Sequence, residues 1–331
     1  MNILAEVCTK GRYLDTLPLT IVSICEQTRR PDELIIFDDN QGKERLDLRE
    51  VPVFKHLFRL LDEKGIKWQV IFGEGKGQHY LHQKAQEMAK ECVWRVDDDG
   101  YAESNVLEEL EKEMIGGVGA VGGLVLEPGN IATGESKGKI KNINIEPNIQ
   151  WLKDGQGEVE HLYSSFLFRK GIADYDLRLS PVAHREETMF SHEIFKKGFK
   201  LIVTNKCITW HFRNPVGGIR TGQRINWDND EHLFVQWLGI KDRKMAVLNN
   251  GLGDHIVFRK LLDDLGIKDI TIACCFPEVF EGFDVISIAT ADLMGANMEK
   301  YNLYHWMDKH NWKESLCEAY KQMYGFTTTN S

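Results

Sequence analysis

Cys92-Val93-Trp94-Arg95-Val96-Asp97-Asp98-Asp99 is the stretch that decides how this 331-residue chain is read. The first five residues have the pattern of a short buried strand, which stops at three consecutive carboxylates. Like charges side by side at the end of a buried strand repel one another. They persist where a cation offsets the repulsion or water screens it. Hard oxygen ligands of this kind suit Mg²⁺ or Mn²⁺, ions that complete their shells with substrate phosphates. An Asp-rich turn can also be a solvated cap, here for the helix predicted over 104–114. Its position at a strand end in a strand–helix series speaks for the cation.

That series is visible on the N-terminal side. Ile3-Leu4-Ala5-Glu6-Val7-Cys8 reads as a first strand ending at Thr9-Lys10-Gly11-Arg12. Helical spacing follows from Leu14 to Gln27, with Leu17, Ile21, Ile24 and Cys25 on one face, and Pro31 ends it. A second strand, Glu33 to Phe37, stops at Asp38-Asp39-Asn40-Gln41-Gly42. A helix over 53–64, a strand over 67–72, the glycine-rich Gly73-Glu74-Gly75-Lys76-Gly77 and a helix over 79–91 lead back to Cys92. This alternation predicts a parallel sheet with helices on both faces, where ligands bind at the carboxyl ends of the strands. Three such ends carry polar clusters, at 9–12, 38–41 and 97–99.

Toward the C-terminus, Gly116 to Gly123 reads as a glycine-rich lead into Leu124-Val125-Leu126, and 127–150 as an irregular insertion. Strand character is predicted over 159–169, 199–203 and 207–212, with a helix over 186–198. Residues 213–226 read as a basic loop, with Arg213, Arg220 and Arg224 among Gly217, Gly218 and Gly222. Composition resets after a helix over 228–240. A strand over 244–248, the turn Asn249-Asn250-Gly251-Leu252-Gly253-Asp254, a helix over 255–265 and a strand over 270–275 form a second, smaller β-α-β unit. Residues 300–324 are predicted helical and close it. The expected domains are 1–238 and 239–331.

At these residues the chain resembles the family 2 glycosyltransferases with the GT-A fold. The resemblance rests on Ala5 to Arg12, on Ser23 to Asp39 with its Gln27-Thr28-x-x-Pro31-x-Glu33 stretch, on Asp97-Asp98-Asp99, on Arg185-Glu186-Glu187-Thr188-Met189-Phe190, and on Trp210-His211. It covers roughly residues 2–215. The fold it implies is α/β: a GT-A, Rossmann-like nucleotide-diphospho-sugar transferase domain followed by a small α/β Rossmann-like module. The activity it implies is an inverting, metal-dependent transfer of a sugar from a nucleotide donor, a UDP-sugar, to a hydroxyl.

Carried over by position, Thr9 and Asp39 contact the base and Arg12 lines the same pocket. Asp97 touches ribose or phosphate, with Asp98 beside it. Asp99 and His211 hold Mn²⁺ or Mg²⁺. Glu187, with Glu186 adjacent, is the general base, in a position where the family usually has Asp. Arg220 and Arg224 are expected to offset charge on the leaving diphosphate. The segment 243–325 resembles the N-terminal half of heptosyltransferase-like GT-B enzymes, on the Asn249 to Asp254 loop and on Glu318-Ala319-Tyr320 and Gly325. Without that family's second half, an acceptor-side, structural or oligomerisation role is expected of it.

The net charge of −9 argues against nonspecific polyanion binding as the main activity. It disfavours DNA as an acceptor, whereas the basic loop over 213–224 leaves DNA open, so the acceptor is either a surface glycan precursor or a modified base in phage DNA. Seven cysteines without a CxxC pair are expected as reduced thiols. No signal-peptide pattern or apolar run of membrane-spanning length is visible, which predicts a cytoplasmic protein, in a bacterium or a phage-infected host. Two other classes compete: a nucleotidyltransferase, which also uses carboxylate-bound metal, and a non-catalytic carbohydrate-binding or scaffold protein.

Overall fold

The computed structural model describes residues 1–127, 136–140, 149–152, 157–159, 161–218, 224–237, 245–293, 302–324 and 326. The chain divides into two compact units, the first ending at Asp230 and the second running from Glu231.

The first unit is built on strands β1 (Ile3–Thr9), β2 (Glu33–Asp38), β3 (Lys67–Phe72), β4 (Cys92–Val96), β5 (Gly100–Ala102), β6 (Val118–Leu126), β7 (Ser136–Ile140), β8 (Ile149–Leu152), β9 (Gly157–Val159), β10 (Ser165–Arg169) and β11 (Lys200–His211). Its helices are α1 (Leu17–Cys25), α2 (Pro52–Glu63), α3 (Gln78–Met88), α4 (Val106–Glu113), α5 (Glu186–Lys196) and α6 (Arg224–Trp237), the last crossing into the second unit. The main sheet runs β3-β2-β1-β4-β10-β6-β11-β5.

The first four strands are parallel, as the alternation predicts. Beyond β4 the expectation of a parallel sheet fails. β10 enters antiparallel to both β4 and β6, and β5 is antiparallel to β11. The glycine-rich segment does not merely lead into Leu124-Val125-Leu126: after a turn at Gly116 and Gly117, residues 118–123 are already part of strand β6. A Cβ on Gly119 would lie 2.5 Å from Ile172 Cδ1, and one on Gly123 2.8 Å from Cys207 Sγ, so glycine there admits close neighbours. The strands expected at 199–203 and 207–212 are one strand, β11, with a register shift between Val203 and Ile208.

The sheet is buried on both faces, so its strands read as unbroken apolar runs. Along β1, Ile3, Ala5 and Val7 face a core with Leu17, Ile21, Leu57, Leu61 and Leu110. Leu4 and Cys8 face a second core with Leu81, Ala85, Phe166, Phe168 and Phe190. Two residues break the apolar run on that second face, Glu6 on β1 and Arg95 on β4. They are register partners, and both are fully buried. A charge in such a place requires a partner, because burial without one is costly.

The second unit carries a parallel sheet of β12 (Met245–Leu248), β13 (Thr271–Cys274) and β14 (Asp284–Ile286). Its helices are α7 (Leu252–Asp264), α8 (Ile288–Leu293), α9 (Leu303–Lys309) and α10 (Leu316–Tyr324), so the 300–324 stretch is two helices. Phe258 anchors the core, with Tyr320 at 4.8 Å and Tyr324 at 5.3 Å between ring centroids. All seven cysteines are free thiols, five of them buried. Among the described residues, no helix is long and apolar enough to cross a membrane.

Candidate active site

The acidic triplet sits where β4 ends. Val96 is fully buried, the Gly100 N–H donates to the Asp97 carbonyl at 2.9 Å, and the chain turns straight into β5. The solvated-cap alternative does not hold, since Asp98 and Asp99 are 5 % and 3 % exposed and β5 stands between them and α4. Antiparallel pairing of β5 with β11 places Gly100 opposite His211, and the Phe212 N–H donates to the Asp99 carbonyl at 2.9 Å. Backbone pairing thus carries His211 to the triplet from 112 positions away in sequence.

The ligand atoms converge. His211 Nε2 lies 3.4 Å from Asp99 Oδ1 and 3.7 Å from Asp97 Oδ2, and the three side chains offer ligand atoms all within 4.8 Å of one another. Tyr163 Oη is 3.4 Å from His211 Nδ1, which turns the other ring nitrogen toward the carboxylates. Two hard carboxylates and one imidazole suit Mn²⁺, and also Mg²⁺ when phosphate oxygens fill the remaining positions.

Asp98 faces the other way. Its Oδ1 accepts from Arg12 Nη1 at 2.6 Å, and the same guanidinium lies 3.2 Å from Asp99 Oδ2. Burial lifts the Asp98 carboxyl to about 6 against the pull of Arg12, and Asp99 adds to the lift. Arg12 also donates to the Asn214 carbonyl at 3.1 Å and the Val216 carbonyl at 3.2 Å. The 213–218 segment is thereby tied to the triplet through one side chain. Asn214 adds a second tie, its N–H donating to Asp99 Oδ2 at 3.2 Å.

These groups surround a cavity of about 410 Å³ at the carboxyl ends of β1, β4 and β11. Its walls include Lys10, Arg12, Gln78, His82, Asp97, Asp98, Asp99, Tyr163, His211, Arg213 and Asn214. Thr9, Asp39, Glu186 and Glu187 are not among the lining residues. Thr9 is fully buried, and its carbonyl accepts the Asp39 N–H at 2.9 Å. Asp39 holds the glycine-rich loop, accepting from Gly75 N–H at 2.8 Å and Gly77 N–H at 3.2 Å. Burial raises its carboxyl, and those two bonds oppose the rise.

Glu186 and Glu187 open α5, where a helix N-terminus favours negative charge. Arg185, in the left-handed region at φ 68°, turns the chain into that helix. Arg95 grips both glutamates. Its Nη1 and Nη2 meet Glu186 at 2.9 and 2.7 Å, and Nη2 meets Glu187 Oε1 at 2.9 Å and Asp97 Oδ1 at 3.3 Å. Gln78 donates to Glu186 Oε1 at 2.8 Å, and the Ser164 N–H to Glu187 Oε1 at 3.0 Å.

Arg220 lies outside the described residues. Arg224 opens α6 rather than ending a loop. Sequence reasoning passed over Arg95, Tyr163, Gln78 and Asn214. Only Arg95 carried a signal, as a charge inside the apolar run Val93-Trp94-Arg95-Val96.

No family model matches the chain, and no curated protein does. Among solved structures, GalNAc-T7 with UDP, GalNAc and Mn²⁺ is similar at 14% identity and a TM-score of 0.54, over 71% of this chain and 48% of that one. S. aureus TarS is similar at 13% identity and a TM-score of 0.49, over 73% of this chain and 40% of that one. The TarS 1–349 structure with UDP-GlcNAc gives 12% identity and 0.48, over 97% of this chain and 92% of that one. The chain thus spans about half or less of the length of the first two. The GalNAc-T7 likeness carries the fold: a mixed α/β structure with a curled central sheet, of the GT-A kind.

Proposed function

We propose that the chain is a metal-dependent, inverting glycosyltransferase that moves a sugar from a UDP-sugar to a hydroxyl acceptor. The observation that carries this reading is the convergence of Asp97, Asp99 and His211 at the rim of the cavity on a GT-A sheet. Asp99 and His211 would hold Mn²⁺ or Mg²⁺, with Asp97 between the metal and the donor's ribose or phosphate. When bound, the cation supplies charge stabilisation to the departing diphosphate. Arg12 and Asp98 hold the donor side of the cavity in shape. Thr9 and Asp39 are assigned to the base, and Arg220 and Arg224 to the diphosphate.

Of the two glutamates, Glu187 is assigned as the general base. It is 6 % exposed against 1 % for Glu186, whose two oxygens both meet Arg95. In the step itself, Glu187 takes the proton of the acceptor hydroxyl while that oxygen bonds to the anomeric carbon. The bond from this carbon to the diphosphate oxygen breaks, its electron pair leaves with the nucleoside diphosphate, and the configuration inverts.

The acceptor hydroxyl belongs to a surface glycan precursor or to a modified base in phage DNA. The second unit, taken as a domain over 239–331, serves the acceptor side, structure or self-association. The test is UDP release from a panel of UDP-glucose, UDP-galactose, UDP-GlcNAc and UDP-GalNAc with Mn²⁺, water serving as acceptor. Release that EDTA stops and that Glu187→Gln slows by about a thousandfold, with Mn²⁺–UDP binding retained, supports the reading. A wild-type protein that releases UDP from none of the four in the presence of Mn²⁺ refutes it.

A further inference from the structure

We propose that Arg95 is a positioning residue of this site, acting on the donor-side acidic cluster and the assigned base through one buried guanidinium. The inference rests on the assignment of Glu187 made above. Arg95 is the sole basic side chain on its strand and is fully buried. Its Nη2 alone lies within 3.3 Å of carboxylate oxygens from Asp97, Glu186 and Glu187. Asp97 directly follows β4, and the two glutamates, 89 and 90 positions on, lie in the first turn of α5.

Three carboxylates that close would repel one another in a buried setting. An arginine guanidinium keeps its charge in a protein, so Arg95 sets one fixed positive charge among Glu186, Glu187 and Asp97. The planar fork grips Glu186 with both terminal nitrogens, which fixes the plane of the guanidinium. With that plane fixed, Nη2 has one direction in which to hold Glu187 Oε1, and the Ser164 N–H holds the same oxygen from the backbone. Phe166 packs beneath, its ring centroid 5.5 Å from the Arg95 guanidinium carbon.

Glu186 therefore acts as the anchor, Arg95 as the bridge, and Glu187 as the group being aimed. The same bridge sets the distance between the base and Asp97, which is the distance across which acceptor and donor must meet. A misplacement of about 1 Å in such a pairing costs on the order of a hundredfold in rate. A lysine, as a single point charge, cannot hold three carboxylates in one plane, but it preserves the charge balance.

The experiment compares wild type, Arg95→Lys, Arg95→Met, Glu187→Gln and the double variant Arg95→Met/Glu187→Gln. Each is assayed for Mn²⁺–UDP affinity by calorimetry and for UDP release from the four-donor panel. The expected result for Arg95→Met is Mn²⁺–UDP affinity within a few-fold of wild type and release slowed about 100-fold. Arg95→Lys should fall between the two, and it is the variant to rely on if Arg95→Met does not fold. The double variant should be no slower than Glu187→Gln, since two residues that act as a unit are non-additive.

Multiplied losses in the double variant overturn the positioning role while leaving Glu187 as the base. So does an Arg95→Met loss that lies wholly in Mn²⁺–UDP affinity, or full release by both Arg95 variants. Unimpaired release by Glu187→Gln, or no release by wild type, overturns the parent reading, and the inference falls with it.

Discussion

Gly217 packs against Gly11 so closely that a Cβ at 217 would lie 2.5 Å from the Gly11 carbonyl oxygen. Gly218 continues the contact, its N–H donating to the Lys10 carbonyl at 2.7 Å. Gly11, Gly217 and Gly218 all have positive φ, at 71°, 71° and 84°. The loop after β1 and the loop after β11 are therefore interlocked backbone to backbone, with Arg12 reaching across the joint to Asp98. Gly217→Ala should force the loops apart and take the Arg12 contacts to Asn214 and Val216 with it. We expect Mn²⁺–UDP affinity to fall by at least about tenfold, on top of the cost of about 1–2 kcal/mol for a side chain in the left-handed region. Gly116→Ala is the control, because φ there is 54° and nothing lies within 4 Å of the added Cβ. It should show the conformational cost alone and bind Mn²⁺–UDP like wild type. Equal affinities for the two variants would mean that the interlock has no part in binding.

The metal assignment makes a separate demand. Asp99 reaches His211 through Oδ1, while its Oδ2 accepts from Asn214 and faces Arg12. Asp99→Asn keeps the size of the side chain and its capacity to accept, but removes the charge that a divalent ion needs. His211→Ala removes the imidazole and its contact with Tyr163. Each should weaken Mn²⁺ binding, followed by electron paramagnetic resonance in the presence of UDP, by at least about tenfold. Asp98→Asn should leave Mn²⁺ affinity closer to wild type, because that carboxylate is turned toward Arg12. If Asp98→Asn proves the most damaging of the three, the division of labour within the triplet is wrong.

The parallel half of the sheet was readable because its strands are buried on both faces and so spell continuous apolar runs. Polar clusters end β1, β2 and β4 at the edge where ligands bind, and this made the triplet and Arg12 visible as well. β6 was harder, because its glycines leave room for Ile172, Leu162 and Cys207, none of which is near in sequence. The antiparallel entry of β10 depends on a return path that periodicity does not encode. Asn214 and Tyr163 join the site through tertiary contact alone. Arg95 is the instructive case. A lone charge inside an apolar strand announces a buried partner without saying which, and here the partners are three carboxylates, two of them on another element.

In the second unit, the loop after β12 leads into α7 in the manner of a nucleotide-binding turn. Asp254, however, already fills the helix N-terminus. Its Oδ2 accepts the Gly251 N–H at 3.1 Å, and its Oδ1 accepts from Tyr304 Oη at 2.9 Å. A carboxylate held there repels a phosphate in the place where the helix dipole would attract one. Calorimetry with Mn²⁺ should therefore find one UDP per chain, and Asp99→Asn should reduce that one without exposing a second. A residual UDP site in Asp99→Asn that is lost on replacing Asp254 would contradict this.

His161 gives a pH dependence whose sign can be worked out. It is 6 % exposed, and burial first, then the nearby Arg185 charge, lowers its pKa from 6.5 to about 3. The imidazole is thus neutral in the folded protein at pH values where the unfolded chain protonates it. A depressed folded value means that the full contribution to stability is present above pH 6.5 and is lost as the pH falls toward 3. Between pH 6.5 and about 5, above the range where most carboxylates titrate, the loss should amount to about 2 kcal/mol. His192, lowered to about 4 by burial and then by Lys196, acts in the same direction, so wild type should lose somewhat more than His161 alone accounts for. His161→Gln cannot take up the proton. Its urea midpoint should change less between pH 6.5 and 5 than that of wild type, while the two proteins are compared at matched ionic strength. Equal slopes would show that His161 is not held neutral in the folded chain.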